Sequence, residues 1–228
     1  MNGNPRIKAV TFDLDGTLFA TTEIKSRAFA DLFSSYGKEV EIAVLEDHMR
    51  SEGISRFIKF RRWYEELLSL EYTDEIGSEL SRRYDQIVLP QIRVAPWTLG
   101  AFEFLNQWHG RIPLFVASAT PQHQLADMLH FRSAEYLITA AWGYPTTKTK
   151  ALEVAASISK SKPEEVLMVG DSKADFNASA EIGARFCRFV NPESTSDRSD
   201  WAECRITNML ELNEMFSFDS QGMSYAKA

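Results

Sequence analysis

From Ile112 onward, short apolar runs alternate with amphipathic stretches, and this rhythm constrains the fold more than any other feature of the chain. Ile112 to Ala117, Tyr136 to Thr139, Val166 to Val169 and Phe186 to Val190 read as strands. Gln122 to Leu129, Lys148 to Ile158 and Ala174 to Ile182 carry apolar residues at helical spacing between them, and Phe102 to Trp108 reads as a helix leading into the series. Strands separated by helices pair in parallel through β-α-β crossovers, not as hairpins. The expected fold class is therefore α/β, a doubly wound parallel sheet with helices on both faces.

One strand stands apart from that series. Ile7 to Phe12 is apolar and short, and the residues from about Thr21 to Leu89 show only helical periodicity. Phe29, Leu32 and Phe33 recur at that spacing, as do Phe57, Phe60, Tyr64, Leu67 and Leu68, then Ile76, Leu80, Tyr84 and Ile87. Pro90 and Pro96 punctuate the end of the block. The first strand thus belongs to the later sheet, with a helical module inserted after it. The expected division is residues 1–20 and 93–215 as the α/β core, 21–92 as the helical module and 216–228 as a C-terminal tail. A chain of 228 residues that is 44% hydrophobic is large and apolar enough to bury such a core. In open α/β sheets ligands bind beyond the carboxyl ends of the strands, so the chemistry should lie there.

The strand ends carry it. The first runs into Asp13-Leu14-Asp15-Gly16-Thr17. Alternation along a strand lets Asp13 and Asp15 share a side, and Gly16 permits a sharp turn after them. Two crowded carboxylates repel unless a cation or a shared proton compensates. The pair is a hard-metal site, a general acid/base pair, or both. The next strand ends in Ser118-Ala119-Thr120-Pro121, where a hydroxyl and free N–H groups suit a phosphate oxygen or an ordinary helix cap. Lys148 and Lys150 open a later helix, and spacing favours Lys148 as a point charge for phosphate. Val166 to Gly170 leads into Asp171, with Asp175 four residues on. These acids suit either Mg²⁺ or the cap and first turn of a helix.

Composition narrows the partners. A net charge of −7 argues against nucleic acid. No apolar run is long enough to span a bilayer, and the amino terminus lacks the basic and apolar regions of a signal peptide, so a cytoplasmic location without membrane association is expected. Cys187 and Cys204 have no metal-ligand spacing and are expected to be thiols.

The four strand-end motifs, in this order, resemble those of the haloacid dehalogenase superfamily of phosphatases and phosphotransferases, over residues from about Arg6 to Val190. The inserted module resembles the small helical cap of the C1 phosphatases, the group of phosphoglycolate phosphatase and the relatives of β-phosphoglucomutase. The resemblance implies that Asp13 is a nucleophile forming an aspartyl phosphate. Asp15 is implied as the general acid and then base, with its carboxyl expected to titrate above the usual range. Gly16, Thr17, Ser118, Ala119 and Lys148 match positions that hold the phosphoryl group. Asp171 and Asp175 match the acids that hold Mg²⁺ directly or through water, together with Asp13 and the backbone carbonyl of Asp15.

Haloacid dehalogenases themselves lack the second aspartate, so Asp15 argues against dehalogenation. Glu52-Gly53-Ile54-Ser55-Arg56 resembles the cap segment whose arginine reaches the polar end of the substrate, which marks Ser55 and Arg56 as substrate residues; an exposed helix-start arginine is the plain alternative. Lys25 stands where the mutase has a histidine, and Glu23 and Lys25 fall where cleft-lining residues would be. The implied function is a Mg²⁺-dependent phosphomonoester hydrolase for a small phosphorylated metabolite, a sugar phosphate or a phosphoglycolate-like acid. A sugar phosphomutase and a non-catalytic binding module are the alternatives, and the protein is expected as a monomer or homodimer.

Overall fold

The structure, a computed structural model, describes residues 6–192 and 201–217. Among these, six parallel strands form one sheet in the order β3-β2-β1-β4-β5-β6. They are β1 Ala9–Phe12, β2 Leu114–Pro121, β3 Ala140–Tyr144, β4 Val166–Gly170, β5 Arg185–Phe189 and β6 Arg205–Ile206. β1 lies at the centre, with Val10 opposite Leu114 on one side and Leu167 on the other. A strand covered on both faces must be apolar on both, and Ala9, Val10 and Phe12 are fully buried.

Period-two alternation sorts the core into two layers. Val10, Phe12, Leu114, Val116, Leu167 and Val169 pack with α5 (Ala101–Trp108) and α6 (Gln122–Phe131). Ala9, Phe115, Val166 and Met168 face α7 (Lys148–Ile158) and α8 (Lys173–Ile182). The chain runs outward from β1 through β2 and β3, then crosses to β4, so the strand order reverses beside β1. Crevices form at such a reversal.

All of α1 (Thr22–Phe33), α2 (Lys38–Arg50), α3 (Arg56–Arg62) and α4 (Asp74–Ile92) fall between β1 and β2. Their shared core is aromatic. Phe29, Phe33, Phe60, Trp63 and Tyr84 are buried, with Phe29 stacked on Tyr84 at 4.2 Å between ring centroids and edge-on to Trp63 at 5.3 Å.

Several expectations are corrected here. The third strand is Ala140–Tyr144, not Tyr136 to Thr139, because a 3₁₀ turn at Glu135–Leu137 comes first. That strand is at the edge of the sheet and only half-buried, so apolar density does not mark it. Pro90 lies inside α4 without ending it; it forgoes one i→i−4 hydrogen bond, and the helix runs on only to Ile92. β6 has only two residues, too few for any periodicity. Cys187 and Cys204 are joined as a disulfide, since pairing of β5 with β6 brings their Cα atoms to 4.7 Å. Their spacing along the chain carries no trace of that pairing. Phe216 packs on Trp108 with ring centroids 4.7 Å apart, and so is not tail; residues 218–228 lie outside those described. No helix among the described residues is long and apolar enough to cross a membrane. α9 (Asn213–Ser217) ends the described chain.

Phe33 is fully buried and meets Trp63 edge-on at 5.3 Å, so Phe33→Ala opens a cavity in the aromatic core. The expected loss is about 3–5 kcal/mol of unfolding free energy, measured by urea denaturation.

Candidate active site

The ladder of β1 continues past the strand, with the amide of Asp13 donating to the carbonyl of Val169 at 2.9 Å. This fixes the Asp13 side chain at the carboxyl edge of the sheet, almost wholly buried. The chain then turns back on itself at Gly16, with φ +78°. A Cβ there would stand 2.1 Å from Asp171 Oδ2, so only glycine allows the β1 and β4 loops to approach this closely.

Lys148, the first residue of α7, reaches into the same space. Thr147 caps that helix by accepting from the amide of Lys150 at 3.1 Å, which sets where Lys148 emerges. Lys148 Nζ lies 3.0 Å from Asp13 Oδ1 and 2.6 Å from Asp175 Oδ1. Burial works against its charge, but the two carboxylates outweigh it and hold the ammonium more firmly protonated than usual. Lys150 faces outward and pairs with Glu153. Asp175 gives its other oxygen to the amide and hydroxyl of Ser172, at 3.1 and 2.6 Å. Ser172, not Asp171, is therefore the cap of α8.

Carboxylate oxygens of Asp13, Asp171 and Asp175 lie within 4.8 Å of one another. The crowding shows in their proton affinity. Burial, opposed by Lys148 and reinforced by Asp175 and Asp15, raises Asp13 to about 7. Burial together with Asp13, Asp175 and Glu52 raises Asp171 well above its ordinary value. An all-oxygen cluster with excess negative charge fits a hard divalent cation, which would replace the protons.

Asp15 turns away from this cluster. Its Oδ2 receives Lys25 Nζ at 2.6 Å and Thr120 Oγ1 at 2.8 Å, and its Oδ1 receives Thr21 Oγ1 at 2.6 Å. Ser118 Oγ stands 3.5 Å from the same Oδ2 and accepts from the amide of Thr120, so it does not cap α6. Burial pushes Asp15 up, but the Lys25 charge and these hydrogen bonds together hold its carboxyl below the ordinary value. The expected rise is thus reversed, because Lys25 is a partner that the motif itself does not reveal.

The helical insertion closes over these groups. At Gly53, φ +75°, a Cβ would meet Ser172 Oγ at 2.4 Å. The ring of Phe57 lies 5.3 Å from that of Tyr144. Arg56 is buried, not an exposed helix start; it hydrogen-bonds Asp85 and Gln124, with Ser81 at 3.3 Å, and lies 4.5 Å over the Tyr84 ring. A cavity of about 70 Å³ remains, lined among others by Asp13, Asp15, Lys25, Ser118, Ala119 and Asp171. Glu23 is exposed and does not line it. The hydroxyls of Thr17 and Ser55 are buried without a hydrogen-bond partner among the described residues, and neither residue lines the cavity.

Thr21, Thr120, His48 and Lys59 were not singled out from sequence, yet Thr21 and Thr120 hold Asp15, and His48 and Lys59 line the cavity. For Thr120 a signal existed, since it lies two residues beyond Ser118 and so on the same side of the strand. The others come from the insertion or its threshold, where nothing local marks them.

A family profile described as haloacid dehalogenase-like hydrolase matches residues 7–183. The chain belongs to the haloacid dehalogenase-like hydrolases. Solved structures share this enzyme fold at low identity. A predicted phosphoglycolate phosphatase from Haemophilus somnus aligns with TM-score 0.71 at 16% identity, over 93% of this chain and 99% of that one. The haloacid dehalogenase-type hydrolase YfnB of Bacillus subtilis, bound to magnesium, aligns with TM-score 0.68 at 16% identity, over 93% and 100%. CbbY of Rhodobacter sphaeroides, in complex with xylulose bisphosphate, aligns with TM-score 0.68 at 16% identity, over 90% and 96%. No match is found among curated proteins. In this family member the strand-end acids meet at one edge of the sheet, beneath the inserted helices.

Replacing Lys25 by Met leaves a mostly buried Asp15 carboxylate without its ammonium. Breaking a buried pair in this way costs about 3–5 kcal/mol. Because Lys25 depresses Asp15 in the folded state, its contribution is present above the unfolded carboxyl value and is lost as pH falls through the folded one. In Lys25→Met the carboxyl takes up a proton more readily, so the deficit should be largest near neutral pH and narrow toward about pH 4. Urea unfolding of both proteins across that range measures it.

Proposed function

We propose that the protein is a Mg²⁺-dependent phosphomonoester hydrolase that acts on a small phosphorylated metabolite through an aspartyl phosphate on Asp13. One observation carries this reading: Lys148, fixed between Asp13 and Asp175, sets a buried positive charge against Asp13, the carboxylate of the pair that lines the cavity. A carboxylate attacks an anionic ester only where such charges offset the repulsion. Phosphate and xylulose bisphosphate in CbbY, and magnesium in YfnB, support the same assignment on this fold.

In the proposed reaction an Asp13 oxygen forms a bond to phosphorus while the ester P–O bond breaks. Asp15 gives a proton to the leaving oxygen, releasing the alcohol. Asp15 then takes a proton from water, whose oxygen attacks phosphorus and frees Asp13 and inorganic phosphate. Ser118, the backbone at Gly16 and Ala119, and Lys148 orient the phosphoryl oxygens. Lys25, Thr21 and Thr120 hold Asp15 in place, and the arriving phosphoryl charge raises its proton affinity against Lys25. Asp13 and Asp171, with the Asp15 carbonyl and Asp175 through water, would hold Mg²⁺. When bound, the ion supplies charge neutralisation between nucleophile and ester. In this proposal residues 21–92 are the cap over a core of 1–20 and 93–215, and the enzyme is cytoplasmic.

Asp13→Asn should release no phosphate from a panel of phosphorylated metabolites while remaining folded, with a cooperative thermal transition. Most of the wild-type rate surviving in that variant would exclude the aspartyl phosphate.

The raised acids also set a pH rule. Asp13 and Asp171 bind protons more tightly folded than unfolded, so metal-free stability falls as pH rises from about 4 to 7. Mg²⁺ competes with those protons. It should raise the melting temperature by several degrees near pH 7.5, by much less near pH 5, and little at either pH in Asp171→Asn.

A further inference from the structure

Cations as well as acids line the cavity. Besides Asp13 and Ser118, its wall includes His48 and Lys59 from the inserted helices, together with Phe29 and Tyr84. Lys59 is 2% exposed, and burying an ammonium costs several kcal/mol unless a partner repays it. Its Nζ lies 2.7 Å from His48 Nδ1 and 5.5 Å from the centre of the Phe29 ring. Neither neighbour is an anion.

Glu52 and Asp47 act on its charge through space. Asp47 is already bound by Arg62 and by Trp63 Nε1, the latter at 2.6 Å. Glu52 acts on Asp171 as well. Burial is the largest influence on both members of the pair. It brings Lys59 down to about 7 and His48 well below its ordinary value, so the imidazole stays neutral near pH 7. The other cations on the wall are engaged: Lys25 with Asp15, and Arg56 with Asp85 and Gln124. Arg56 lines the cavity with its charge matched by Asp85, whereas the hydrogen bond shown for Lys59 is to a neutral histidine.

We infer that Lys59 and His48 form a carboxylate subsite, so that the substrates are short phosphorylated acids and not phosphorylated sugars. This inference rests on the hydrolase reading of the same cavity. A protonated Lys59 donates to His48 Nδ1, which leaves the ring hydrogen on Nε2 as a second donor for a two-oxygen acceptor. The volume agrees. About 70 Å³ holds on the order of five waters, room for a phosphoryl group and a two- or three-carbon acid in this half-open cavity. A substrate carboxylate would add a direct partner to the through-space pull of Glu52 and Asp47 on Lys59, and carries less desolvation cost than a second phosphate dianion.

The test compares 2-phosphoglycolate with 2-hydroxyethyl phosphate, which shares the phosphoryl group and chain length but ends in a neutral hydroxyl. Calorimetric titration of Asp13→Asn protein with Mg²⁺ measures binding without turnover. The expected result is at least about tenfold tighter binding of phosphoglycolate. Adding Lys59→Met should reduce that preference to within about twofold, through a weakening of phosphoglycolate binding larger than that of hydroxyethyl phosphate. His48→Gln in the same background, with melting temperatures for each protein, serves if the methionine variant does not fold; it should also narrow the preference.

Equal affinities, or a parallel loss for both esters in Lys59→Met, would overturn the subsite. Phosphate release by the wild-type enzyme separates the two readings. Hydrolysis of both esters without a binding preference removes the subsite and keeps the hydrolase. A binding preference without hydrolysis of either ester keeps the subsite and removes the hydrolase.

Discussion

The ammonium of Lys148, held between the carboxylates of Asp13 and Asp175, is the contact on which the rest of the site depends. Four acids converge at the end of the sheet, and a buried cluster of that charge is unstable without cations. Lys148 offsets part of it from behind, and Lys25 offsets Asp15 from the cap side. What remains uncompensated appears as raised proton affinity on Asp13 and Asp171, two of the three acids grouped closely enough to share a divalent ion. The architecture serves this cluster: a central strand buried on both faces, a glycine turn that admits Asp171, and a helix start that delivers Lys148.

The two aspartates of the first motif live in different electrostatic surroundings although one residue separates them. Asp13 faces other acids and is pushed up, while Asp15 faces Lys25 and three hydroxyl-bearing residues and is held down. Environments that drive two carboxyls apart are a recurrent way to divide nucleophile and proton carrier. The division depends on the inserted helices, since Lys25 comes from the first of them. In the proposed mechanism the cap is thus part of the chemistry and not only a cover.

Most of the fold was legible because buried strands and amphipathic helices write themselves as periods of two and 3.6. β1, β2, β4, β5 and α7 fall close to where apolar density placed them. The failures share a cause. β3 is at the edge and β6 is a two-residue pairing, so neither concentrates apolar residues, and the Cys187–Cys204 link depends on that last pairing. At the site, Asp13, Asp15, Ser118, Lys148, Asp171 and Asp175 were legible because each sits at a strand end or helix start that leads to the same edge. Thr17 and Ser55 were named on motif position, yet their side chains are buried outside the cavity.

From sequence alone, the order of strands, helices and acidic turns determined that these groups would meet, since parallel strands must all present their carboxyl ends on one side. Tertiary structure alone decided how the charges pair across the cavity. Lys25 meets Thr120 across 95 positions, Arg56 meets Gln124 across 68, and Lys59 meets His48 across 11. No local pattern encodes such contacts. They follow from how one packed body docks on another, where burial sets a cost on each charge and the nearest partner decides whether that cost is met.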